Sequence, residues 1–333
     1  MREWPKIEEV LKNLYRIEIP LPGNPLKAVN SYLIKSAKRN LMIDTGMNRK
    51  ECLNAMKAGL RKLGVDLWKT DFFITHLHID HLGLVSTLAE DSATVYFNQP
   101  DAHAIRSRPP WDDFINFARV NGFPEDELQR VLQNHPGYQF GLIKLPRFHI
   151  LKEGDTISVG EYLFKCIETP GHTRGHICLY ESSRKAFIAG DHILNDITPN
   201  IQLWSFEGNP LKEYLSSLNK VFELDVEVVL PGHRGIFQNC HGRIQELKHH
   251  HQGRLEEVLS ILKEGPKNAF QVASLMSWEI AKECGPWDLF PVMQKWFATG
   301  EAIAHLQYLE NKKKVKKEAR GQNIVFSLKS SND

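Results

Sequence analysis

Apolar and polar positions alternate along residues 13–45, where Tyr15, Ile17 and Ile19 share one face and Ser31-Tyr32-Leu33-Ile34 forms a second run. A period of two marks strands, and Pro20, Pro22, Gly23 and Pro25 between the runs mark a loop. Leu41-Met42-Ile43 leads into Asp44-Thr45-Gly46, after which the period changes. Leu53, Met56, Leu60 and Leu63 fall at helical spacing over 49–63, with Gly64 as the stop. A strand over 71–75, a histidine-rich loop, a helix over about 83–90 and the strand Thr94-Val95-Tyr96-Phe97 follow. This order predicts an α/β fold with helices outside packed sheets.

Residues 98–146 break that rhythm. Pro109-Pro110-Trp111, a helix over 125–133 opened by Pro124, and His135-Pro136-Gly137-Tyr138 predict a helical insertion. Its position suits a lid or substrate wall, because loops carry specificity on a fixed scaffold. Strand patterns resume over 148–230. Helical spacing then returns over 243–263, 268–277 and 288–309, followed by the run Lys312–Lys317 and by Ile324-Val325-Phe326-Ser327-Leu328. Three helices and two short strands around a basic turn predict a winged helix, and no repeat of 20–50 residues interrupts the plan. The expected division is 1–240 and 241–333.

Four apolar runs end in ligand-type residues. Asp71–Thr75 precedes His76, His78, Asp80 and His81; Phe164–Thr169 precedes His172; Ala186–Gly190 precedes Asp191; Val228–Gly232 precedes His233. If these strands share one sheet system, the clusters converge at its edge. Five imidazoles and two carboxylates suffice for two metal ions, which makes a metal-dependent hydrolase the leading reading. His76 and His78, two residues apart, project to the same side and grip one ion; Asp80 and His81, further round the turn, are free to face a second. The loop-to-helix transition near Gly83 offers amides that favour anions. His176 and His192 flank the ligands. His176 is read as supporting a ligand, touching substrate or merely starting a strand, and residues 195–200 are expected to line the site. His103, His135, His149 and His305 read as core or surface residues, and His249-His250-His251 as a solvated helix face.

Composition narrows the classes. A net charge of +2 over 333 residues gives no global reason to expect nucleic acid. Five scattered cysteines without a Cys-x-x-Cys pair favour reduced thiols and a cytoplasmic location. The N-terminus has no apolar signal region and no run reaches membrane-spanning length, so a soluble protein without membrane contact is expected.

The motifs resemble a known family. Thr75-His76-Leu77-His78-Ile79-Asp80-His81 matches the His-x-His-x-Asp-His motif of the metallo-β-lactamase superfamily, and Thr169-Pro170-Gly171-His172-Thr173-Arg174-Gly175-His176 is similar to the third-histidine motif of glyoxalase II. Ala189-Gly190-Asp191 and Leu230-Pro231-Gly232-His233 complete the family's order. The resemblance covers residues 13–240 and implies a four-layer αβ/βα sandwich with its active site at one edge. It further implies that His76, His78 and His172 hold a first ion, that Asp80, His81 and His233 hold a second, and that Asp191 bridges both. Asp44 falls where the family has a carboxylate, which would accept a hydrogen bond from a ligand histidine and fix its tautomer; a plain turn residue before Gly46 is the alternative. Residues 300–328 resemble the C-terminal winged helix of the LACTB2-like branch.

The expected activity is therefore hydrolysis of a small ester, thioester or lactone, with Asp80 or Asp191 orienting a hydroxide held by two divalent ions. Zinc is the first expectation, with manganese or iron also suited to histidine and carboxylate ligands. The alternatives are an endoribonuclease, an iron-dependent persulfide-type oxygenase, and a nucleic-acid-binding regulator with a vestigial site. A small-molecule substrate and a possible homodimer are the expected partners, and a nucleic acid is the less favoured one.

Overall fold

The structure is a computed structural model and describes residues 4–107, 111–135 and 144–329. Pro109, Pro110 and Pro136-Gly137-Tyr138 of the predicted insertion, and the first three residues, lie outside the described residues.

The first sheet contains β1 (Lys6–Leu11), β2 (Leu14–Pro20), β3 (Ala28–Ile34), β4 (Asn40–Ile43), β5 (Thr70–Phe73), β6 (Val95–Asn98) and β7 (Phe148–Leu151), side by side in that order. The pairs from β1 to β4 are antiparallel and those from β4 to β7 are parallel. Parallel neighbours need crossovers. Helix α1 (Lys50–Lys62) makes the first, and the one-turn helices α2 (Ile79–Leu82) and α3 (Val85–Leu88) lie in the second. The third contains α4 (Gln99–Ser107), α5 (Trp111–Val120) and α6 (Glu125–Asn134). The ends of β4, β5 and β6 therefore open on the same edge.

The second sheet runs β12-β11-β10-β9-β8, from β8 (Thr156–Val159), β9 (Tyr162–Glu168), β10 (Ile177–Glu181), β11 (Ala186–Gly190) and β12 (Val228–Pro231). Every residue of β10 and β11 is buried, which explains their uninterrupted apolar runs. Tyr32, Ile43 and Phe73 of the first sheet meet Phe164, Leu179 and Ile188 of the second, each at most 1% exposed. Each such side chain contributes roughly 1.5–3 kcal/mol on burial, so this layer holds the sheets face to face. Cys52, Met56 and Leu60 of α1 cover the outer face of the first sheet. Helices α7 (Pro210–Phe222) and α8 (Cys240–Leu262) cover the second. The result is helix, sheet, sheet, helix: the expected metallo-β-lactamase sandwich.

Helix α7 corrects the reading of 148–230 as strands throughout. The Asn209 side chain accepts from Lys212 N, Pro210 opens the first turn, and Leu211, Tyr214, Leu218 and Val221 bury one stripe. The helix predicted over about 83–90 is instead the pair α2 and α3, which begin earlier and break at Gly83.

The C-terminal part continues from α8 through α9 (Ala269–Leu275), α10 (Ala281–Cys284) and α11 (Val292–Asn311) to the hairpin β13 (Val315–Arg320) and β14 (Asn323–Leu328). Asn268 and Gln271 form a reciprocal cap at α9. The boundary expected after residue 240 falls at the start of α8, whose Ile244 and Leu255 belong to one apolar cluster with Val229, Val272 and Ile303. The core is thus continuous across it. The lysine run is not the hairpin turn, which lies at Gly321-Gln322; it straddles the end of α11 and the start of β13. Cations suit a helix C-terminus because the macrodipole is negative there. His251 and His305 are both fully buried, with His251 Nδ1 3.1 Å from His305 Nε2, so the histidine run is not wholly solvated. Among the described residues no helix is long and apolar enough to cross a membrane.

Candidate metal centre

Five chain segments leave the two sheets at one edge and bring their polar side chains together. Asp44 follows β4, His76 to His81 follow β5, His172 follows β9, Asp191 follows β11 and His233 follows β12. Asp44 is buried and sits at φ +55°, a left-handed turn that aims its carboxylate back at the β5 loop. Its Oδ1 accepts from Thr75 N at 2.8 Å, and its Oδ2 accepts from Thr75 Oγ1 at 2.8 Å and from His81 Nδ1 at 2.7 Å.

These bonds fix tautomers. Because Thr75 Oγ1 donates to Asp44, its lone pair accepts from His76 Nδ1 at 2.9 Å. The Asn200 carbonyl accepts from His172 Nδ1 at 2.9 Å, and the Ala28 carbonyl from His233 Nδ1 at 2.7 Å. In His76, His81, His172 and His233 the Nδ1 proton is therefore committed outward, which turns each Nε2 inward. His78 turns the other way. Its Nδ1 lies 3.0 Å from His76 Nε2 and 2.9 Å from His172 Nε2.

A second cluster adjoins the first. His233 Nε2 lies 3.3 Å from Asp80 Oδ2 and 3.3 Å from His81 Nε2. Asp191 stands between the clusters, with Oδ1 3.5 Å from His81 Nε2 and Oδ2 3.6 Å from His172 Nε2 and 3.4 Å from His233 Nε2. Potential ligand atoms gather in three overlapping groups, namely His76/His78/His172, His76/His81/Asp191 and Asp80/His81/His233, each within 4.8 Å.

The charges leave a gap that a cation fits. Asp191 Oδ1 is buried and accepts no hydrogen bond. Burial and the neighbouring imidazoles push His76 well below its usual range, and burial with His172 pushes His78 down to about 3. Burial alone would lower His233, yet Asp191 and Asp80 push it up to about 10. Lone pairs facing lone pairs beside buried carboxylates are costly unless an ion sits among them. The donor set thus suits a borderline divalent metal, and histidine with carboxylate and no thiolate does not single out one element.

Backbone at this edge has no room for side chains. A Cβ on Gly232 would stand 2.5 Å from Asp191 Oδ1 and 2.7 Å from His81 Cε1, and one on Gly190 would stand 2.7 Å from His176 Nε2. His176 itself is fully buried; its Nε2 accepts from Asp191 N at 3.1 Å and its Nδ1 bonds Thr169 Oγ1 at 2.8 Å. It orients the loop that carries Asp191 rather than facing the cavity. Of residues 195–200, Ile197, Thr198, Pro199 and Asn200 line that cavity.

Sequence reasoning missed Asp101. It is 1% exposed in the first turn of α4, and its Oδ2 accepts from Leu77 N at 2.9 Å and Thr173 Oγ1 at 2.7 Å, while Oδ1 accepts from Gly175 N at 2.7 Å. One carboxylate thereby pins the His76–His78 segment to the His172 loop, and burial pushes its pKa up to about 6. The available clue was a carboxylate three residues after β6, at the same sheet edge as the other clusters.

Residues 24–233 match the family model described as the metallo-beta-lactamase superfamily, and residues 255–327 match the metallo-beta-lactamase-like C-terminal domain. The first match spans more than half of the chain. The chain belongs to the metallo-beta-lactamase superfamily. It is similar to a probable metallo-hydrolase, YqjP, of Bacillus subtilis, with 26% identity over 95% of this chain and 98% of that protein. It is also 25% identical to a beta-lactamase-like protein 2 homolog of Caenorhabditis elegans, over 78% of this chain and 74% of that one. Among solved structures, a metallo-beta-lactamase family protein from Thermus thermophilus superposes with a TM-score of 0.81 at 27% identity, covering 96% of this chain and all of the other. The LACTB2-like resemblance and the hydrolase class therefore hold.

In this metallo-beta-lactamase-fold hydrolase the histidine–aspartate cluster opens into a cavity of about 1030 Å³. His78, Asp80, His172 and Asp191 line its inner end. The insertion supplies Ile105, Trp111, Phe114 and His135, so His135, read from the sequence as a core or surface residue, belongs to this wall; burial pushes its pKa down to about 4. The C-terminal part supplies Trp278, Phe290 and Trp296.

Proposed function

We propose that the chain is a binuclear metal-dependent hydrolase of a small ester, thioester or lactone. His76, His78 and His172 would hold the first ion, Asp80, His81 and His233 the second, and Asp191 both. The observation that carries this reading is that four inward Nε2 atoms, each oriented by an outward Nδ1 hydrogen bond, gather around the buried Asp191 carboxylate, whose Oδ1 accepts no hydrogen bond. Bound there, divalent ions would supply hydroxide from water near neutral pH, since metal binding lowers water's pKa from 15.7 toward about 7, and would polarise the scissile carbonyl.

The chain's own groups do the rest. Asp80, which reaches the cavity, accepts a hydrogen bond from the attacking water and takes its proton. His78 and His172 bound the substrate's carbonyl end, and Asp44 and His176 hold His81 and Asp191 in place. Water adds across the acyl bond, giving a carboxylic acid and an alcohol or thiol, or one hydroxy acid from a lactone. Zinc is the metal proposed, with manganese or iron as substitutes. Lysines 312–314, 316 and 317 do not line the cavity, so the endoribonuclease reading gains no support from them. A cytoplasmic location accords with Cys52, Cys166, Cys178 and Cys240, which are buried and unpaired.

The test is chelator-sensitive hydrolysis of p-nitrophenyl acetate, acetylthiocholine and γ-butyrolactone. At least one should turn over with added zinc or manganese and stop in EDTA. Chelator-sensitive RNA cleavage with no turnover of any of the three would contradict the proposal.

A further inference from the structure

The cavity that begins at the ligands is far larger than an acetyl group requires. At about 1030 Å³ it matches the upper end of the roughly 300–1,000 Å³ range of small-molecule pockets. Beyond the ligand end its walls are mostly apolar: Leu26, Met47 and Leu77 from the first sheet's loops, Ile105 and Phe114 from the insertion, and Phe297 from α11. Among the described residues no lysine or arginine lines it. Glu301, its one carboxylate away from the ligands, faces the Arg254 guanidinium at 3.4 Å. Among the described residues these walls thus offer no cation to pair with a phosphate; Asn24, Thr198, Gln202 and Gln294 are among their neutral polar groups.

The wall is prebuilt rather than loose. The Trp204 ring stacks on Trp296 with centroids 3.7 Å apart and planes within 10°. Trp204 lies so close to α11 that a Cβ on Gly300 would stand 2.6 Å from its Nε1. Leu203 N donates to Gly300 O at 3.1 Å, tying the segment after Asp191 to the C-terminal helix. On the far side Val292 and Trp296 of α11 pack with Ile115, Leu128 and Val131 of the insertion. Insertion and C-terminal part thus pack together to wall one largely apolar chamber.

Resting on the hydrolase reading above, we propose that the substrate is an ester or thioester of a bulky apolar acyl group, with its carbonyl at the ligand end and its acyl tail along the chamber. A phosphorylated leaving group finds no cation among the described residues of those walls and so points out of the opening. The C-terminal part then serves the catalytic domain as the distal wall of its acyl pocket.

The test uses zinc-loaded full-length protein and p-nitrophenyl acyl esters from acetyl to palmitoyl, with a reversed series of alkyl acetates from ethyl to hexadecyl. Each methylene buried in the chamber should raise kcat/KM of the acyl series about two- to fourfold until the chamber is full, and the acetate series should stay nearly flat. Titration calorimetry with fatty acids of the same lengths gives a second readout, with affinity rising in parallel. Ala104→Trp, which fills the chamber, and Phe297→Ala, which removes wall contacts, should each cut the dodecanoyl-to-acetyl ratio about tenfold or more. A flat acyl series with length-independent binding overturns the proposal even if short esters are hydrolysed, as does a steeper response in the alkyl acetates. Length-dependent fatty-acid binding without turnover of any ester supports the apolar chamber and overturns the hydrolase reading instead.

Discussion

The two ends of the cavity are built on opposite physical terms. At the ligand end four of the five imidazoles are each fixed by a directed outward bond, as in Asp44 to His81 at 2.7 Å or Ala28 to His233 at 2.7 Å, and a shift of a few tenths of an ångström would misplace a ligand atom. At the far end Trp204, Trp296 and Phe297 are held by area and shape, with one side-chain bond, Trp204 Nε1 to Gln202, at 2.9 Å. Directional restraint suits an ion that tolerates little error in position; contact area suits an occupant that is apolar and variable in length. Function at the first end should therefore be brittle, and at the second graded.

The largest expected effect is Asp191→Ala. Its carboxylate adjoins His81, His172 and His233 together. Removing it should lose both metals and lower kcat/KM on the order of 10³-fold or more, the scale of losing a main charge stabiliser. His233→Ala should keep the first ion. Equal metal retention in the two variants would contradict the assigned roles.

Metal removal comes next. Stripping the ions should lower stability by about 4 kcal/mol per ion, about 8 kcal/mol for two, if each was bound at a thousandfold over its Kd, or about 10 °C in Tm for a protein of this size. Scanning calorimetry with and without EDTA measures it, and an unchanged Tm would show that the buried carboxylates need no ion.

Asp101→Asn is expected to be intermediate. The amide turns one acceptor into a donor facing Leu77 N–H or Gly175 N–H, loosening both ligand loops without touching a ligand. Metal affinity should fall about 10- to 100-fold, read by competition with a chromogenic chelator, while the circular dichroism spectrum stays native. Wild-type affinity in this variant would reduce Asp101 to a packing role.

The contrast between the ends also decides what the sequence reveals. His76, His78, Asp80 and His81 stand out because local chain geometry alone places them together, and the runs before His172, Asp191 and His233 mark strands ending at one edge. Asp101 is invisible by that logic. It is a lone carboxylate in a helix first turn, and its three partners come from residues 77, 173 and 175, joined to it only by the fold. Helix α7 is hard to see in the sequence because Leu211, Tyr214 and Leu218 lie within a stretch dominated by strand patterns. The sequence suggests one side of the chamber, as a lid or substrate wall over 98–146; that α11 supplies its other wall follows from packing between residues some 180 positions apart, which no periodicity encodes.

The smallest expected effect is at the lysines. Replacing Lys312, Lys313, Lys314, Lys316 and Lys317 by serine should leave ester turnover within about twofold and stability within about 0.5 kcal/mol per site, as for surface changes remote from special features. RNA cleavage by wild type that collapses in this variant would move the active end of the molecule to the hairpin.

The most direct test of the central claim is metal stoichiometry. Protein purified without chelator, loaded with zinc, freed of excess and analysed by plasma mass spectrometry should carry close to two ions per chain. A single ion at saturating metal, or one tightly held iron with no second site, would contradict the binuclear centre.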